Sequence, residues 1–234
     1  MVKLVTFDLD NTLWDVDRII IKAEQQMRGW LEQQVPESLT FYQPETLGEL
    51  RQEVAIRHAD RIHDLSFMRK QVLFEVMQLA GYQESQAKLL AEQAFDVFYQ
   101  GRNTIEFFPG ALQMLEELSH EYTLFALTNG NANINLAGIA DYFAGALSSA
   151  DVGRRKPEPA MFQAALRRFA VPASDAVHIG DHLYDDVHGA NNVGMRTIWV
   201  NLTDQERQPD DAEPDVEVND LGQVRSAINH LRQL

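Results

Sequence analysis

The sequence predicts an α/β protein, a doubly wound parallel sheet interrupted after its first strand by an all-helical block. Three observations carry this prediction. The apolar run Leu4-Val5-Thr6-Phe7 stops at the polar turn Asp8-Leu9-Asp10-Asn11-Thr12; residues 15–103 repeat apolar side chains at helical spacing; and beyond Pro109-Gly110 short apolar runs alternate with helical segments. Strands separated by helices build βαβ units around a parallel sheet. Because the first strand precedes the helical stretch, that stretch is an insertion, which divides the chain into a core of 1–14 with 104–234 and an insert of 15–103.

Each element follows from its pattern. In the insert, Ile19, Ile20, Ala23, Met27, Trp30 and Leu31 outline one amphipathic helix, and a break containing proline runs from Val35 to Pro44. Further helices are expected over Thr46 to Ala59, over Ser66 to Ala80 before Gly81, and over Glu84 to Tyr99 before Gly101. In the core, the expected strands are Thr123 to Leu127, Gly145 to Leu147, Ala176 to Ile179, Thr197 to Val200 and Val216 to Val218. The helices between and after them are Ala111 to His120, Pro159 to Phe169, Asp185 to Val193 and Leu221 to Leu231. Thr203 to Pro214, acidic and punctuated by proline, is expected to be a surface loop.

Composition narrows the classes of function. With 234 residues and 45% hydrophobic content the chain can bury a proper core. No run of 18 apolar residues occurs, so no membrane span is expected, and Met1-Val2-Lys3-Leu4 leaves no room for a signal peptide before Asp8. Zero cysteines exclude disulfides and thiolate metal sites and suit a reducing, cytoplasmic setting. A formal net charge of −15 repels nucleic acid and anionic membranes, so neither is an expected partner, and an anionic substrate needs local cations.

The chemistry collects at strand ends. Side chains alternate along a strand, so Asp8 and Asp10 leave on the same side if extended geometry persists past Phe7. Two carboxylates that close need a cation or a shared proton. In open parallel sheets ligands bind beyond the carboxyl ends of the strands. Thr128-Asn129-Gly130 follows one such end, Gly180-Asp181 another, and Lys156 lies in the turn before a helix opening at Pro157 or Pro159. Each segment alone is also a good turn or helix cap. No His-Glu-x-x-His, no Gly-x-x-x-x-Gly-Lys and no Gly-x-Ser-x-Gly pattern occurs, which removes zinc proteases, phosphate-loop enzymes and serine hydrolases. His178, His182 and His188 are read as local structure, with His182 a modulator of Asp181.

In this order, Asp8-Leu9-Asp10-Asn11-Thr12-Leu13, Thr128-Asn129-Gly130, Lys156-Pro157-Glu158-Pro159 with Phe162, and Gly180-Asp181 with Asp185-Asp186-Val187-His188-Gly189-Ala190 resemble the phosphatase branch of the haloacid dehalogenase superfamily over about residues 4–200. The resemblance implies a Rossmann-like core and a helical cap, here the insert, which closes over the site and contacts the leaving group. It implies Asp8 as nucleophile, Asp10 as general acid and then base, and Thr128 and Asn129 as holders of phosphate oxygens through the hydroxyl and main-chain N–H groups. Lys156 then supplies a fixed positive charge to the substrate site. It further implies Mg2+ bound by Asp8, the main-chain carbonyl of Asp10, and Asp181, with either Asp185 or Asp186 acting through water.

Magnesium also fits the chemistry, since oxygen-only ligands select hard cations. The segment Thr128-Asn129-Gly130-Asn131-Ala132 looks like those members that act on flavin mononucleotide and on 5-amino-6-(5-phosphoribitylamino)uracil in riboflavin biosynthesis. Phe41, Tyr42, Phe67, Trp14 and Arg69 are candidates for a planar surface and cation that receive a ring-bearing leaving group, with helical-core packing as the other reading. The alternatives are a nucleotide or sugar-phosphate phosphatase and, from another class, a regulatory module that accepts phosphate on Asp8. A dehalogenase is disfavoured because the halide-cleaving branch lacks an acid equivalent to Asp10. A monomer or homodimer is expected.

Overall fold

A computed structural model describes residues 2–233; positions 1 and 234, assigned above to the core, lie outside the described residues. The chain divides into two compact units, one being Val16–Ile105 and the other ending at Asp15 and resuming at Glu106. No helix among the described residues is long and apolar enough to cross a membrane.

The α/β unit begins with β1 (Leu4–Phe7), every residue of which is buried. A strand with both faces covered reads as a continuous apolar run rather than an alternation, which is why Leu4-Val5-Thr6-Phe7 is legible in the sequence. The ladder extends one step further, Asp8 N–H donating to Ile179 O at 2.8 Å. The chain then turns. Asn11 adopts a left-handed φ of 59°, a conformation that Asn tolerates better than most residues, and its N–H bonds to Trp14 O at 2.7 Å.

The helical unit contains α1 (Val16–Gln34), α2 (Pro44–Arg57), α3 (Leu65–Leu79) and α4 (Glu84–Arg102). The break over Val35 to Pro44 holds a single 3₁₀ turn, Pro36–Thr40. Ile19, Ala23, Met27 and Leu31 form the buried stripe of α1, and Ala87, Ala91, Ala94, Phe95 and Phe98 that of α4. Gly101 permits the close approach of these two helices, since a Cβ there would lie 3.0 Å from Ala23 Cα.

Back in the α/β unit come α5 (Ala111–Ser119), β2 (Thr123–Thr128), β3 (Ala146–Ser148), α6 (Ser149–Val152), α7 (Ala160–Phe169), β4 (Ala176–Gly180), α8 (Gly189–Asn191), β5 (Arg196–Val200), β6 (Val216–Val218) and α9 (Val224–Leu231). The sheet runs β3-β2-β1-β4-β5-β6 with every pairing parallel. Phe7 is in register with Ala126 on one side and Ile179 on the other. Asp8, Thr128 and Asp181 therefore emerge within one or two residues of a common level. The order reverses about β1, so these ends flank the topological switch point where open α/β sheets bind ligands.

Two expectations change here. The helix expected over Asp185 to Val193 is a one-turn π-helix, Leu183–His188, leading into the short α8. Its N-terminus is set by His182, whose Nδ1 accepts from Asp185 N–H at 3.0 Å. The helix expected from Leu221 starts as a 3₁₀ turn, Leu221–Gln223, before α9.

Candidate active site

Lys156 is the hub of the constellation. Its side chain is 1% exposed, and its Nζ donates to Asp8 Oδ1 at 2.6 Å, Asp186 Oδ1 at 2.6 Å and Leu127 O at 2.7 Å. An ammonium has three donors, and all three are spent on the protein. Lys156 thus stands as a fixed charge between two carboxylates rather than as a free arm. Burial works against that charge, but Asp186 and Asp8 outweigh it and hold the pKa above its ordinary value.

Asp186 occupies the far side of the hub. Its carboxylate also accepts from His182 N–H at 3.0 Å and lies 3.1 Å from His178 Nε2. Burial alone would raise its pKa; the Lys156 cation and the His178 hydrogen bond prevail and hold it well below the usual carboxylate range. An ionised carboxylate only accepts, so His178 must carry its proton on Nε2, which leaves Nδ1 to accept from the Thr6 hydroxyl at 2.8 Å. Burial keeps this imidazole neutral by lowering its pKa.

Asp8 and Asp181 are the strained members. Burial raises the pKa of Asp8, Lys156 opposes, and the charges of Asp186 and Asp181 add to the rise, so the net result lies well above the ordinary value. For Asp181, burial and then the charge of Asp186 push the pKa up to about 7, against the Thr12 hydroxyl that donates to it at 3.0 Å. Trp199 Nε1 fixes the Asp181 main chain by donating to its carbonyl at 2.7 Å.

Asp8, Asp181 and Asp186 each offer an oxygen within 4.8 Å of the others. Fully ionised, three carboxylates and one ammonium leave two negative charges uncompensated in a buried place, a cost that a divalent cation removes. The donor set is all oxygen, as a hard cation requires.

One consequence is testable in chelator-treated protein. The folded state binds the Asp181 proton up to about pH 7, whereas the unfolded chain releases it near the ordinary 3.8. The folded state therefore holds more protons in this window, and stability falls as pH rises through it. Asp8 acts in the same sense and Asp186 titrates below the window, while His178, its pKa lowered by burial, acts in the opposite sense just below its ordinary 6.5 and is outweighed by the two aspartates. Thermal melts in chelator should drop between about pH 4 and pH 7, a fall that Mg2+ reverses; a flat or rising profile would contradict the burial assigned to these groups.

The remaining residues named from the sequence fall as follows. The Asp10 carboxyl accepts from Trp14 Nε1 at 2.7 Å, and it is not one of the three clustered carboxylates. The carboxylate grouping accordingly joins Asp8 to Asp181 and Asp186. The Asp10 main-chain carbonyl, proposed as an ion ligand, is a separate matter from its side chain. Thr128 Oγ1 accepts from Gly130 N–H at 2.9 Å, an arrangement that leaves its own hydrogen to donate. Asn129 sits at the same strand end, and its side chain reaches Lys156 and Asp185.

Asp185 and Asp186 separate cleanly: Asp186 enters the buried cluster, while Asp185 bonds to the Asn129 amide. Sequence reasoning set aside His178 and did not reach Thr6, Thr12 or Trp199. A signal did exist for two of them, since Thr6 and His178 are polar interruptions of apolar strands and are direct partners in register.

The aromatic candidates are largely consumed by packing. Trp14 and Tyr42 are buried, in different units; Tyr42 donates to Glu24 at 2.6 Å, and Arg69 pairs with Glu24 while stacking 3.6 Å from the Phe98 ring centroid. Phe67 lies under the Arg61 guanidinium at 3.5 Å.

Gly180 holds the cluster's tightest backbone contact, for a Cβ there would sit 2.6 Å from Asp186 Cβ and closer still to its carboxyl. Gly180→Ala should therefore cost about 1–3 kcal/mol and displace Asp186, read as a lower urea midpoint together with lost activity. An unchanged midpoint would show that Asp186 is not seated as described.

The chain is similar to known proteins. Residues 2–194 match the family model described as haloacid dehalogenase-like hydrolase. The chain is 33% identical over 199 residues to 5-amino-6-(5-phospho-D-ribitylamino)uracil phosphatase YigB of Escherichia coli, covering 85% of this chain and 83% of that protein. It is 30% identical over 214 residues to glyceraldehyde 3-phosphate phosphatase of Pyrococcus abyssi, covering 85% and 81%. It also superposes with a TM-score of 0.94 on the crystal structure of 2-haloacid dehalogenase from Pseudomonas syringae pv. Tomato DC3000, at 43% identity and covering 98% and 99% of the two chains.

Proposed function

The chain belongs to the haloacid dehalogenase-like hydrolase family, and from that premise we propose that it is a Mg2+-dependent phosphatase of a small phosphomonoester. The observation that carries this reading is the buried hub of Asp8, Lys156 and Asp186 with Asp181 beside it, at the switch point of the sheet. The nearer substrate is a flavin-pathway ribityl phosphate, either flavin mononucleotide or the ribitylaminouracil phosphate, supported by the likeness to the Escherichia coli enzyme over most of both chains. The helical unit is proposed as the substrate-selecting cap, and the setting as cytoplasmic.

In the first step an Asp8 oxygen bonds to phosphorus as the ester P–O bond breaks, and Asp10 gives its proton to the leaving alkoxide. In the second, Asp10 takes a proton from water, whose oxygen bonds to phosphorus while the P–O bond to Asp8 breaks. Inorganic phosphate leaves, and both aspartates are restored. Lys156 holds Asp8 in line and offsets its charge, while the Thr128 hydroxyl and the main-chain N–H of Asn129 receive the phosphate oxygens. Asp8, Asp181 and the Asp10 carbonyl, with Asp186 behind them, would hold Mg2+, which supplies positive charge to the transferring group when bound.

The second reading, dehalogenation, is favoured by the structural match to a 2-haloacid dehalogenase. Asp10 argues against it. A halide leaves as a stable anion, whereas an alkoxide needs a proton, and Asp10, whose carboxyl Trp14 Nε1 holds, is the acid proposed to give it.

A release screen with Mg2+ decides between them, using flavin mononucleotide, the ribitylaminouracil phosphate, glyceraldehyde 3-phosphate, nucleotides and hexose phosphates beside 2-chloropropionate. Phosphate release with kcat/KM at least about tenfold higher for a ribityl phosphate is the expected result. Preference for nucleotides or hexose phosphates removes the flavin assignment, and halide release without phosphate release removes the phosphatase.

A further inference from the structure

The Asn129 side chain points at main chain, not at the site. Its Oδ1 accepts from Lys156 N–H at 2.7 Å, and its Nδ2 donates both to Lys156 O at 3.0 Å and to Asp185 Oδ2 at 3.1 Å. The amide orientation is set by its partners: an N–H demands the oxygen, and a carbonyl with a carboxylate demands the nitrogen. One side chain thus pairs with the Lys156 backbone on both its hydrogen-bonding edges. It joins segments 27 and 56 residues away in sequence. Its own carbonyl is tied down from elsewhere, accepting from Ser149 Oγ at 3.2 Å.

We infer that Asn129 and Asp185 form a clasp that positions Lys156, making both of them positioning residues for phosphoryl transfer. The inference rests on the phosphatase reading and deepens it. Lys156 carries its charge on a flexible four-carbon stem, so the place of Nζ between Asp8 and Asp186 depends on where the stem is rooted. Pro157 follows immediately and has no N–H with which to root the segment in a ladder. Asn129 supplies the missing pairing, and the Asp185 carboxylate holds the amide from behind. This gives Asp185 a part distinct from that of Asp186, which acts within the cluster.

The clasp makes a donor-swap prediction. Asn129→Asp keeps an acceptor for Lys156 N–H but sets a second carboxylate oxygen against Lys156 O and Asp185. Asp185→Asn keeps an oxygen that accepts from Asn129 and should cost less. In the double variant the new amide at 185 can donate to the new carboxylate at 129, restoring the link with its polarity reversed.

The full chain is assayed with p-nitrophenyl phosphate at saturating Mg2+, and urea midpoints are measured alongside. We expect kcat of Asn129→Asp to fall about 10- to 100-fold with KM within about threefold of wild type, and the double variant to recover at least about fivefold over that single variant. A purely structural role would lower stability without splitting kcat from KM. The clasp is overturned by a single variant within threefold of wild-type kcat, by a change confined to KM, or by a double variant no better than Asn129→Asp. A wild type that releases no phosphate counts against the phosphatase reading alone. The clasp is then judged by the urea midpoint of the double variant, which supports it if higher than that of Asn129→Asp and overturns it if not.

Discussion

Asp8→Asn is expected to lower kcat for phosphate release by at least about 10⁴-fold while leaving the protein as stable as wild type or more so. The two halves of this result come from one place. An amide of the same shape lacks the charged oxygen proposed to attack phosphorus, so the proposed first displacement has no nucleophile. Yet its carbonyl oxygen can still accept from Lys156 Nζ, which keeps its bonds to Asp186 and to Leu127 O. The substitution also removes one of three crowded carboxylates, the one whose pKa burial has raised well above its ordinary value. Relief of that charge stabilises the ion-free fold. Steady-state assays and melts in chelator check both halves. A variant retaining more than a tenth of wild-type activity would remove Asp8 from the chemistry, and one that unfolds at the assay temperature would make its charge structural.

Lys156→Met should fail in the opposite way, losing stability and activity together. Methionine matches the stem but carries no charge, so Asp8 and Asp186 lose the cation they share and Leu127 O loses its donor. Breaking a buried pair from one side typically costs about 3–5 kcal/mol, because the remaining charges stay uncompensated. Removal of a fixed charge beside the transferring group should further reduce kcat by about 10²–10³-fold in whatever fraction stays folded. Mg2+ should return part of the stability by substituting for the lost cation. Urea unfolding with and without Mg2+ reads this directly, and a variant as stable as wild type in chelator would show that the hub is not compensated as described.

Much of this site is visible in the amino-acid order because a parallel sheet concentrates function at strand ends. Leu4-Val5-Thr6-Phe7 and Val177-His178-Ile179 are short apolar runs, and the first aspartate after each, Asp8 and Asp181, falls within one residue of the same level because β1 and β4 are neighbours in register. What was not legible depends on geometry that spacing does not encode. The choice between Asp185 and Asp186 turns on a π-helical turn, which rotates successive side chains differently from an α-helix and sends Asp186 alone into the cluster. The turn after Asp8 is also set by contacts that spacing does not give, since Asn11 takes a left-handed φ and the Asp10 carboxyl is held by Trp14 Nε1. His178 was legible as an anomaly, a polar residue inside a buried strand, but its partner Asp186 lies across a turn that no periodicity announces. The residue order points only to the main chain of Asn129, because the pairing of its side chain with Lys156 appears only once the two segments are brought together.

The central claim is that phosphorus passes through Asp8 on its way to water. The stereochemical course at phosphorus, followed with a thiophosphate monoester made chiral by oxygen isotopes, tests it most directly. Two in-line displacements, first by Asp8 and then by water, predict overall retention of configuration. Inversion would mean that water attacks the substrate in one step and that no aspartyl-phosphate forms.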